Sequence, residues 1–208
     1  DQFRARADRF DVVALVLPEG RDLEAIRQYE DMTNLEVVFG DLTDPAAVDR
    51  CVQGADLVLH IGGVVSPFAD ERPDLARKVN IGSMRNIRAV KRQKDPSRIG
   101  VVGVGSVAET GHRSAPHHWG RIGDPLRVSM YDEYGQTKVV AEKMLVDSGL
   151  PRWAWLRQTG ILYPGMLQVR DPILTHSVLD GVLEWVSVED AARLMAGIAE
   201  GAPEEFWG

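Results

Sequence analysis

The chain has 208 residues, of which 44% are hydrophobic and 26% are charged, proportions that are ordinary for one globular domain, or one domain with a small appendage. Its 24 basic and 31 acidic residues give a net charge of −7, which argues against nucleic acid or an anionic membrane as the main partner. We find no signal peptide and no apolar run of the roughly 18 residues that a membrane-spanning helix needs. The single cysteine, Cys51, excludes an internal disulfide and favours a reducing compartment, so we expect a cytoplasmic protein.

Five apolar runs rich in valine, leucine and isoleucine are predicted to be strands. They are DVVALVLP (11–18), LEVVFGD (35–41), ADLVLHIGG (55–63), RIGVVGVGS (98–106) and WAWLRQTGIL (153–162). Nearly continuous apolar runs of this length are typical of strands that are buried on both faces, as in parallel sheets.

Helical patterns occupy the stretches between and after these strands, at 44–54, 73–93, 133–149 and 187–201. Asp44-Pro45 is a start signal for the first helix, and Ser187 with Asp190 has capping-box spacing at the start of the last. The alternation of strands and helices predicts an α/β fold, a Rossmann-type doubly wound parallel sheet. The polar stretch 107–130 is predicted to be a long loop.

The start of the chain lacks a feature that this fold usually has. A dinucleotide-binding sheet begins with a strand and a glycine-rich loop, G-x-x-G-x-x-G or a relative, and neither precedes Asp11. Residues 1–10 look like the end of a first helix. In the strand order 3-2-1-4-5-6 the first strand is central, so its loss would leave two buried edges unpaired. We therefore expect an incomplete chain, and the alternative is a chain that rebuilt its sheet and lost the cofactor.

The helix predicted at 133–149 carries a candidate catalytic pair. Lys138 follows Tyr134 by four residues, so the two side chains share a helix face. A lysine cation beside a phenol lowers the pKa of the phenol, which can then exchange a proton with a substrate hydroxyl or carbonyl. The same spacing also fits an ordinary helix whose lysine extends past apolar neighbours to solvent.

Ser106 ends the strand at 98–106, at the edge where open α/β sheets bind ligands. A serine there can hydrogen-bond the substrate oxygen that Tyr134 protonates. A single serine in this place is also a common helix cap or loop residue.

Together these residues resemble the Ser…Tyr-x-x-x-Lys set of the short-chain dehydrogenases/reductases, and the best match is their extended branch, the NAD(P)-dependent epimerase/dehydratase family. The matching segments, in the family's order, are GDLTD (40–44), VLHIGGVVSP (58–67), VNIGSMRNI (79–87), YGQTK (134–138), LRQTGILYPG (156–165) and EWVSVEDAARLM (184–195). The resemblance implies an NAD(P)-dependent oxidoreductase or epimerase/dehydratase that acts on a hydroxyl or carbonyl carbon of a small molecule, a class that includes sugar nucleotides.

The resemblance also implies roles for individual residues. Tyr134 would exchange the proton, Lys138 would lower its pKa and hold the nicotinamide ribose, Ser106 would orient the substrate oxygen, and Asn80 would support the active site. The residues implied to contact the cofactor are Asp41, Leu42, His60, Ile61, Gly62, Gly63, Tyr134, Lys138, Gln158 and Ile161.

Several positions depart from the family's pattern besides the absent glycine-rich loop. Gly62 and Gly63 replace the usual alanines, and Gln158 replaces the usual proline after the arginine. Gly103 and Gly105 stand where serines are common, which leaves Ser106 as the catalytic hydroxyl.

The C-terminal part is shorter than the family's substrate-binding part. We expect residues 1–163 to form the dinucleotide-binding domain and residues 164–208 a small substrate-side segment packed on it. The helices at 73–93 and 133–149 often form a dimer interface in this family, so the resemblance allows a homodimer.

Three further choices depend on single features. Glu19 favours NAD and Arg21 favours NADP after the strand at 11–18, and we lean to NAD.

Three histidines, His112, His117 and His118, suggest a metal, but they lack a recognised ligand spacing, so no metal is expected. The basic stretch 85–98 is interpreted as a solvated helix face, because no aromatic residues interleave to stack on bases.

Two other functions fit the sequence. One is a non-catalytic dinucleotide-binding or scaffold protein that kept the fold. The other is a ketone or aldehyde reductase of the same family, which differs in substrate alone.

Overall fold

The structure is a computed structural model that describes residues 1–111, 121–168 and 183–208. The strands in these ranges are β1 (Val12–Val16), β2 (Leu35–Phe39), β3 (Leu57–His60), β4 (Gly100–Ser106), β5 (Trp153–Gln158), β6 (Gly160–Leu162) and β7 (Trp185–Ser187). All of their pairings are parallel: β1 with β2, β3 with β4, β4 with β5, and β6 with β7. Four of the five predicted strands are therefore confirmed, as is the parallel pairing. The fifth, 153–162, is divided into β5 and β6, which lie in different sheets.

The helices connect these strands. The α-helices in the described ranges are α1 (Gly20–Arg27), α2 (Pro45–Val52), α3 (Phe68–Glu71), α4 (Pro73–Ala76), α5 (Gly82–Asn86), α6 (Glu133–Val146) and α7 (Val188–Gly201). One π-helical turn spans Arg77–Ile81, and 3-10 turns include Arg4–Arg6, Ile87–Arg92, Val107–Thr110, Pro164–Gln168 and Glu204–Phe206. None of the helices in the described ranges is long and apolar enough to cross a membrane.

The caps explain why the predicted helices begin where they do. The Asp44 carboxylate accepts from the Ala46 N–H at 2.9 Å, and the Ser187 hydroxyl accepts from the Asp190 N–H at 3.0 Å. Each cap satisfies a backbone donor that a helix N-terminus leaves without an intrahelical partner.

Two helix predictions needed correction. The stretch 73–93 is helical but divided into α4, the π turn, α5 and a 3-10 turn, and the π turn contains Asn80, whose side chain bonds to a neighbouring loop. Residues 1–10 contain one 3-10 turn without a buried residue, and half of their side chains are charged. No helix was predicted at α1, which also buries no side chain.

The sheet is interrupted between β1 and β3. The pair β2–β1 and the three strands β3–β4–β5 form separate hydrogen-bonded groups among the described residues. In a doubly wound sheet of order 3-2-1-4-5-6, the first strand lies at this position. The interruption coincides with the place where the sequence analysis locates the absent strand.

The core has two parts, one on each face of β4. Val101 joins a cluster with side chains of α2, α5 and α6, including Met84 and Leu145. Val102 joins a second cluster with Met195 and Ile198 of α7. Because neighbouring residues of a strand point to opposite faces, both faces of β4 are covered, as its continuous apolar sequence predicts.

Candidate functional site

Three strands bring predicted residues to one edge of the sheet. β3 ends at His60, β4 at Ser106 and β5 at Gln158. Ser106 lies directly opposite Gln158 in the parallel ladder, and His60 lies opposite Gly103. These residues therefore occupy the carboxyl edge, where open α/β sheets bind their ligands.

Tyr134 reaches this edge from the first turn of α6. Asp132 caps the helix by accepting a 2.8 Å hydrogen bond from the Gly135 N–H. The side chain of Tyr134 is half-buried, and Ser106 is close enough to lower the pKa of its phenol. Tyr131, three residues earlier, is 87% exposed, so the structure distinguishes the two tyrosines as the spacing to Lys138 does.

Lys138 is buried, with 6% of its surface exposed. Its Nζ donates to the Val104 carbonyl at 2.8 Å and lies 5.7 Å from the centroid of the Tyr134 ring. A lysine that extends to solvent, the alternative considered from the sequence, does not fit this geometry.

The predicted effect of Lys138 on the Tyr134 phenol is not what the structure gives. Burial, with smaller contributions from Glu109 and Asp132, raises the pKa of Tyr134 to about 12, and the neighbouring Ser106 opposes the rise. Burial also lowers the pKa of Lys138. The Lys138 ammonium lies over the Tyr134 ring and donates to the Val104 carbonyl. It therefore stabilises a phenolate too little to offset the cost of removing that charge from water. Tyr134 is therefore a neutral phenol at neutral pH, which is the form that donates a proton.

Asn80 connects the loop after β3 to α6. Its amide nitrogen donates to the Val64 carbonyl and to the Thr137 hydroxyl, each at 2.9 Å, and its amide oxygen accepts from the Val64 N–H at 2.7 Å. Asn80 is 3% exposed, so all three bonds are shielded from water. It holds the loop 61–64 against the helix that carries Tyr134 and Lys138.

Glycines 62 and 63 are required by their neighbours. A Cβ at Gly62 would lie 2.6 Å from the Leu42 side chain, and one at Gly63 would lie 2.9 Å from Asn80 Oδ1 and 3.5 Å from Lys138 Nζ. The backbone of this loop therefore lies directly beside Leu42 on one side and Lys138 on the other. The glycines at these two places, where the family commonly has alanines, follow from that close approach.

The turn after β2 holds the two residues predicted at the adenine. Asp41 accepts a 2.7 Å hydrogen bond from the Thr43 N–H, and the Leu42 carbonyl accepts from Asn86 of α5 at 2.8 Å. Since Leu42 also contacts Gly62, the structure brings the ends of β2 and β3 together.

His60 is buried at the end of β3 and its Nε2 lies 3.0 Å from the Ser83 hydroxyl. Burial, with a smaller contribution from the Lys138 charge, lowers its pKa to about 4. His60 is therefore neutral at neutral pH and acts as a hydrogen-bonding group, not as a cation.

Two predicted cofactor contacts lie at the rim. Ile61 is 64% exposed, beyond the last residue of β3. Ile161 lies in β6 opposite Val186, in a different sheet from Ser106. The structure does not bring Ile161 into the cluster around Tyr134.

One acidic residue of the site was missed. Glu109 is fully buried in the turn after β4, and its carboxylate accepts from the Ser106 N–H at 2.7 Å. The spacing Ser106-x-x-Glu109 is a capping box, a pattern that can be found in sequence. Its contacts with Trp155 and Arg157 connect residues far apart in the chain and leave no local signal.

The three histidines considered for a metal, His112, His117 and His118, lie outside the described residues. Among the residues that are described, no cluster of three or more His, Cys, Asp or Glu could hold a metal ion.

The residues present fit the nicotinamide end of a dinucleotide. Gly63 borders Lys138 and Asn80, so no side chain from this position crowds the Lys138 ammonium. Tyr134 and Lys138 would hold the nicotinamide ribose, and the Asp41–Leu42 turn would lie at the adenine. No G-x-x-G-x-x-G motif for the pyrophosphate occurs in the 208 residues.

Comparisons with known proteins identify the family and the fold. A family model described as NAD(P)H-binding matches residues 2–200. The dTDP-glucose 4,6-dehydratase DesIV of Streptomyces venezuelae, solved with NAD bound, is 19% identical with a TM-score of 0.71 over 94% of this chain and 65% of its own. The UDP-Glc/GlcNAc 4-epimerase of Campylobacter jejuni is 15% identical with a TM-score of 0.74 over 97% of this chain and 71% of its own.

A curated viral sequence, uncharacterized protein 052L of Frog virus 3, is 34% identical over 55 residues, which are 26% of this chain and 16% of that protein. This chain thus matches 16% of the length of the viral protein and 65% of the length of DesIV.

These matches confirm the predicted fold class and NAD(P) as the cofactor class, while the choice of NAD over NADP stays a prediction. The chain belongs to the NAD(P)H-binding family, and its fold is that of the epimerases and dehydratases of the extended short-chain dehydrogenase/reductase group.

Proposed function

We propose that this protein is an NAD(P)-dependent enzyme that acts on a hydroxyl or carbonyl carbon of a small molecule, with sugar nucleotides as the first class to test. One observation carries the proposal: a buried lysine, held by the carbonyl of β4, lies 5.7 Å from the ring of a half-buried tyrosine at the carboxyl edge of a parallel sheet, where β4 ends in Ser106. Two structural relatives named for activity on nucleotide sugars support the substrate class.

Tyr134 acts as the proton donor and acceptor in this mechanism. With its pKa raised to about 12, it carries its proton at neutral pH and donates it to a substrate oxygen that becomes negative. In the reverse direction it must lose that proton, and a substrate that displaces water next to Lys138 would strengthen the attraction between the phenolate and the ammonium.

Ser106 and Lys138 orient the reacting groups. The Ser106 hydroxyl accepts from the Ala108 N–H at 3.2 Å, which fixes its oxygen while leaving its own hydrogen for a substrate oxygen. Lys138 is held by the Val104 carbonyl and presents its remaining N–H groups near the Gly63 backbone. NAD(P), when bound, supplies the hydride donor or acceptor.

The same residues serve a dehydrogenase, a reductase, an epimerase or a dehydratase, since these differ in substrate and in the fate of the hydride. A non-catalytic dinucleotide-binding protein is the alternative outside this class. A homodimer, which the resemblance allows, also stays a prediction.

The test is a survey of the full-length protein with NAD and NADP. Cofactor binding is measured by calorimetry, and turnover is followed on panels of sugar nucleotides, ketones and alcohols. We expect binding together with turnover of at least one class. Binding without turnover on any panel would favour the non-catalytic alternative.

A further inference from the structure

Glu109 has an unusual position for a carboxylate. Its residue is 0% exposed, and it lies in the 3-10 turn that follows β4. The neutral groups that contact its carboxylate are the Ser106 N–H at 2.7 Å and Trp155 Nε1, at 3.2 Å from each oxygen. A buried carboxylate normally needs a paired cation, so these neutral donors raise the question of how its charge is balanced.

Space for this carboxylate comes from glycine. A Cβ at Gly105 would lie 2.1 Å from Glu109 Oε1 and 2.2 Å from Trp155 Nε1, and a Cβ at Gly103 would lie 2.3 Å from the Trp155 ring. β4 therefore has no side chains at the two places that Trp155 and Glu109 occupy. The two glycines of β4 therefore make room for the contact between Glu109 and Trp155.

The nearest cation is already paired with another acid. Arg157 donates to both oxygens of Glu142, at 3.0 and 2.5 Å, whereas its Nε lies 3.7 Å from Glu109 Oε2. Glu109 and Glu142 therefore lie against the same guanidinium. One guanidinium balances one carboxylate, so the cluster is neutral when the two acids hold one proton between them.

The proton resides on Glu109. Burial, followed by the hydrogen bond with Glu142, raises the pKa of Glu109 to about 8. Burial alone would raise the pKa of Glu142, but the hydrogen bonds with Arg157 and Glu109 lower it. The ionisable groups that face Glu109 from β5 and α6 among the described residues are Arg157, Glu142, Tyr134 and Lys138.

The cluster is connected to the catalytic residues. The Ser106 N–H donates to Glu109, and Ser106 in turn lowers the pKa of Tyr134. A negative charge on Glu109 raises the pKa of Tyr134 and also that of Lys138. The charge of Glu109 thus affects both groups that the proposed function uses.

We propose that Glu109 is a positioning residue of this site, which fixes Ser106 and shares with Glu142 one exchangeable proton whose loss places a negative charge behind Tyr134 and Lys138. The role of Glu109 in catalysis rests on the proposed function, but the proton that it shares with Glu142 depends on the folded chain alone. Below about pH 8 Glu109 is neutral, and above it the new charge makes Tyr134 harder to ionise. The charge on Glu109 therefore favours the protonated phenol of Tyr134 at the alkaline pH that would otherwise remove its proton.

The proton is tested by ¹³C NMR titration of the glutamate carboxyls in the full chain. We expect one carboxyl to titrate well above the ordinary acidic range. That resonance is absent from Glu109→Gln and titrates at lower pH in Glu142→Gln, because Glu142 no longer repels the charge. Titration of all glutamates in the ordinary range would overturn the proposal, as would survival of the high resonance in Glu109→Gln.

The link to the site is tested on Lys138, whose side-chain resonance is assigned with Lys138→Arg. The charge of Glu109 raises the pKa of Lys138. Removing that charge by Glu109→Gln should therefore lower the titration midpoint of Lys138 by roughly one pH unit. An unchanged midpoint would leave Glu109 a purely structural residue and contradict the proposal. Neither measurement uses turnover, so a failed substrate survey would not affect this result.

Discussion

Asn80 allows the arrangement of the site to be tested through stability. Its side chain makes three hydrogen bonds to the Val64 backbone and Thr137, at 2.7, 2.9 and 2.9 Å. Each is worth about 1 kcal/mol net, and Ala recovers roughly 0.5 kcal/mol through its better helix propensity. We therefore expect Asn80→Ala to lower the free energy of unfolding by about 2–3 kcal/mol.

Asn86→Ala is the matched control, because Asn86 comes from the same helical region and makes one bond, to the Leu42 carbonyl at 2.8 Å. Its expected cost is no more than about 1 kcal/mol. Urea denaturation followed by circular dichroism measures both variants, and Asn80→Ala should also lower the melting temperature by roughly 5–10 °C. Equal losses in the two variants would refute the reasoning that Asn80 holds the loop to α6.

Two further predictions concern neighbouring features. Because the folded pKa of His60 is about 4, below the unfolded value of about 6.5, the unfolded state binds the proton more readily. The free energy of unfolding should fall by about 3 kcal/mol as the pH drops from about 6.5 to 4. Urea denaturation at a series of pH values measures this loss, which should be absent from His60→Gln. The same pH dependence in that variant would contradict a buried neutral histidine. Gly103→Ala should cost about 1–3 kcal/mol through contact with Trp155, whereas Gly197→Ala, in an open position of α7, should gain up to about 1 kcal/mol. A Gly103→Ala variant as stable as the parent in the same denaturation assay would show that the ring moves freely.

Local patterns were enough to predict most of the fold. The strands were visible as continuous apolar runs because both faces of β4 are covered. The helices with caps, at Asp44 and Ser187, were predicted with their starts. By contrast, α1 buries no side chain and therefore has no strong hydrophobic pattern, and the π turn at Asn80 depends on bonds to a loop 16 residues away.

The candidate site was predictable where residues are close in sequence or match a motif. Tyr134, Lys138, Ser106 and Asn80 meet as the resemblance implied. The pKa of Tyr134 could not be predicted, because burial depends on how β4 and α6 pack. Glu109 was missed for a similar reason, since its hydrogen bond with β5 comes from Trp155, 46 positions away.

The central claim, that Tyr134 is the catalytic proton donor, is tested most directly by comparing Tyr134→Phe with Tyr131→Phe. Both variants lose one hydroxyl three residues apart, but Tyr131 is 87% exposed and serves as the control. In the full-length enzyme with its active substrate and NAD(P), we expect Tyr134→Phe to lose turnover by 10²-fold or more, roughly the contribution of a general acid, while it still binds the cofactor. Tyr131→Phe should match the parent, and normal turnover in Tyr134→Phe would contradict the account.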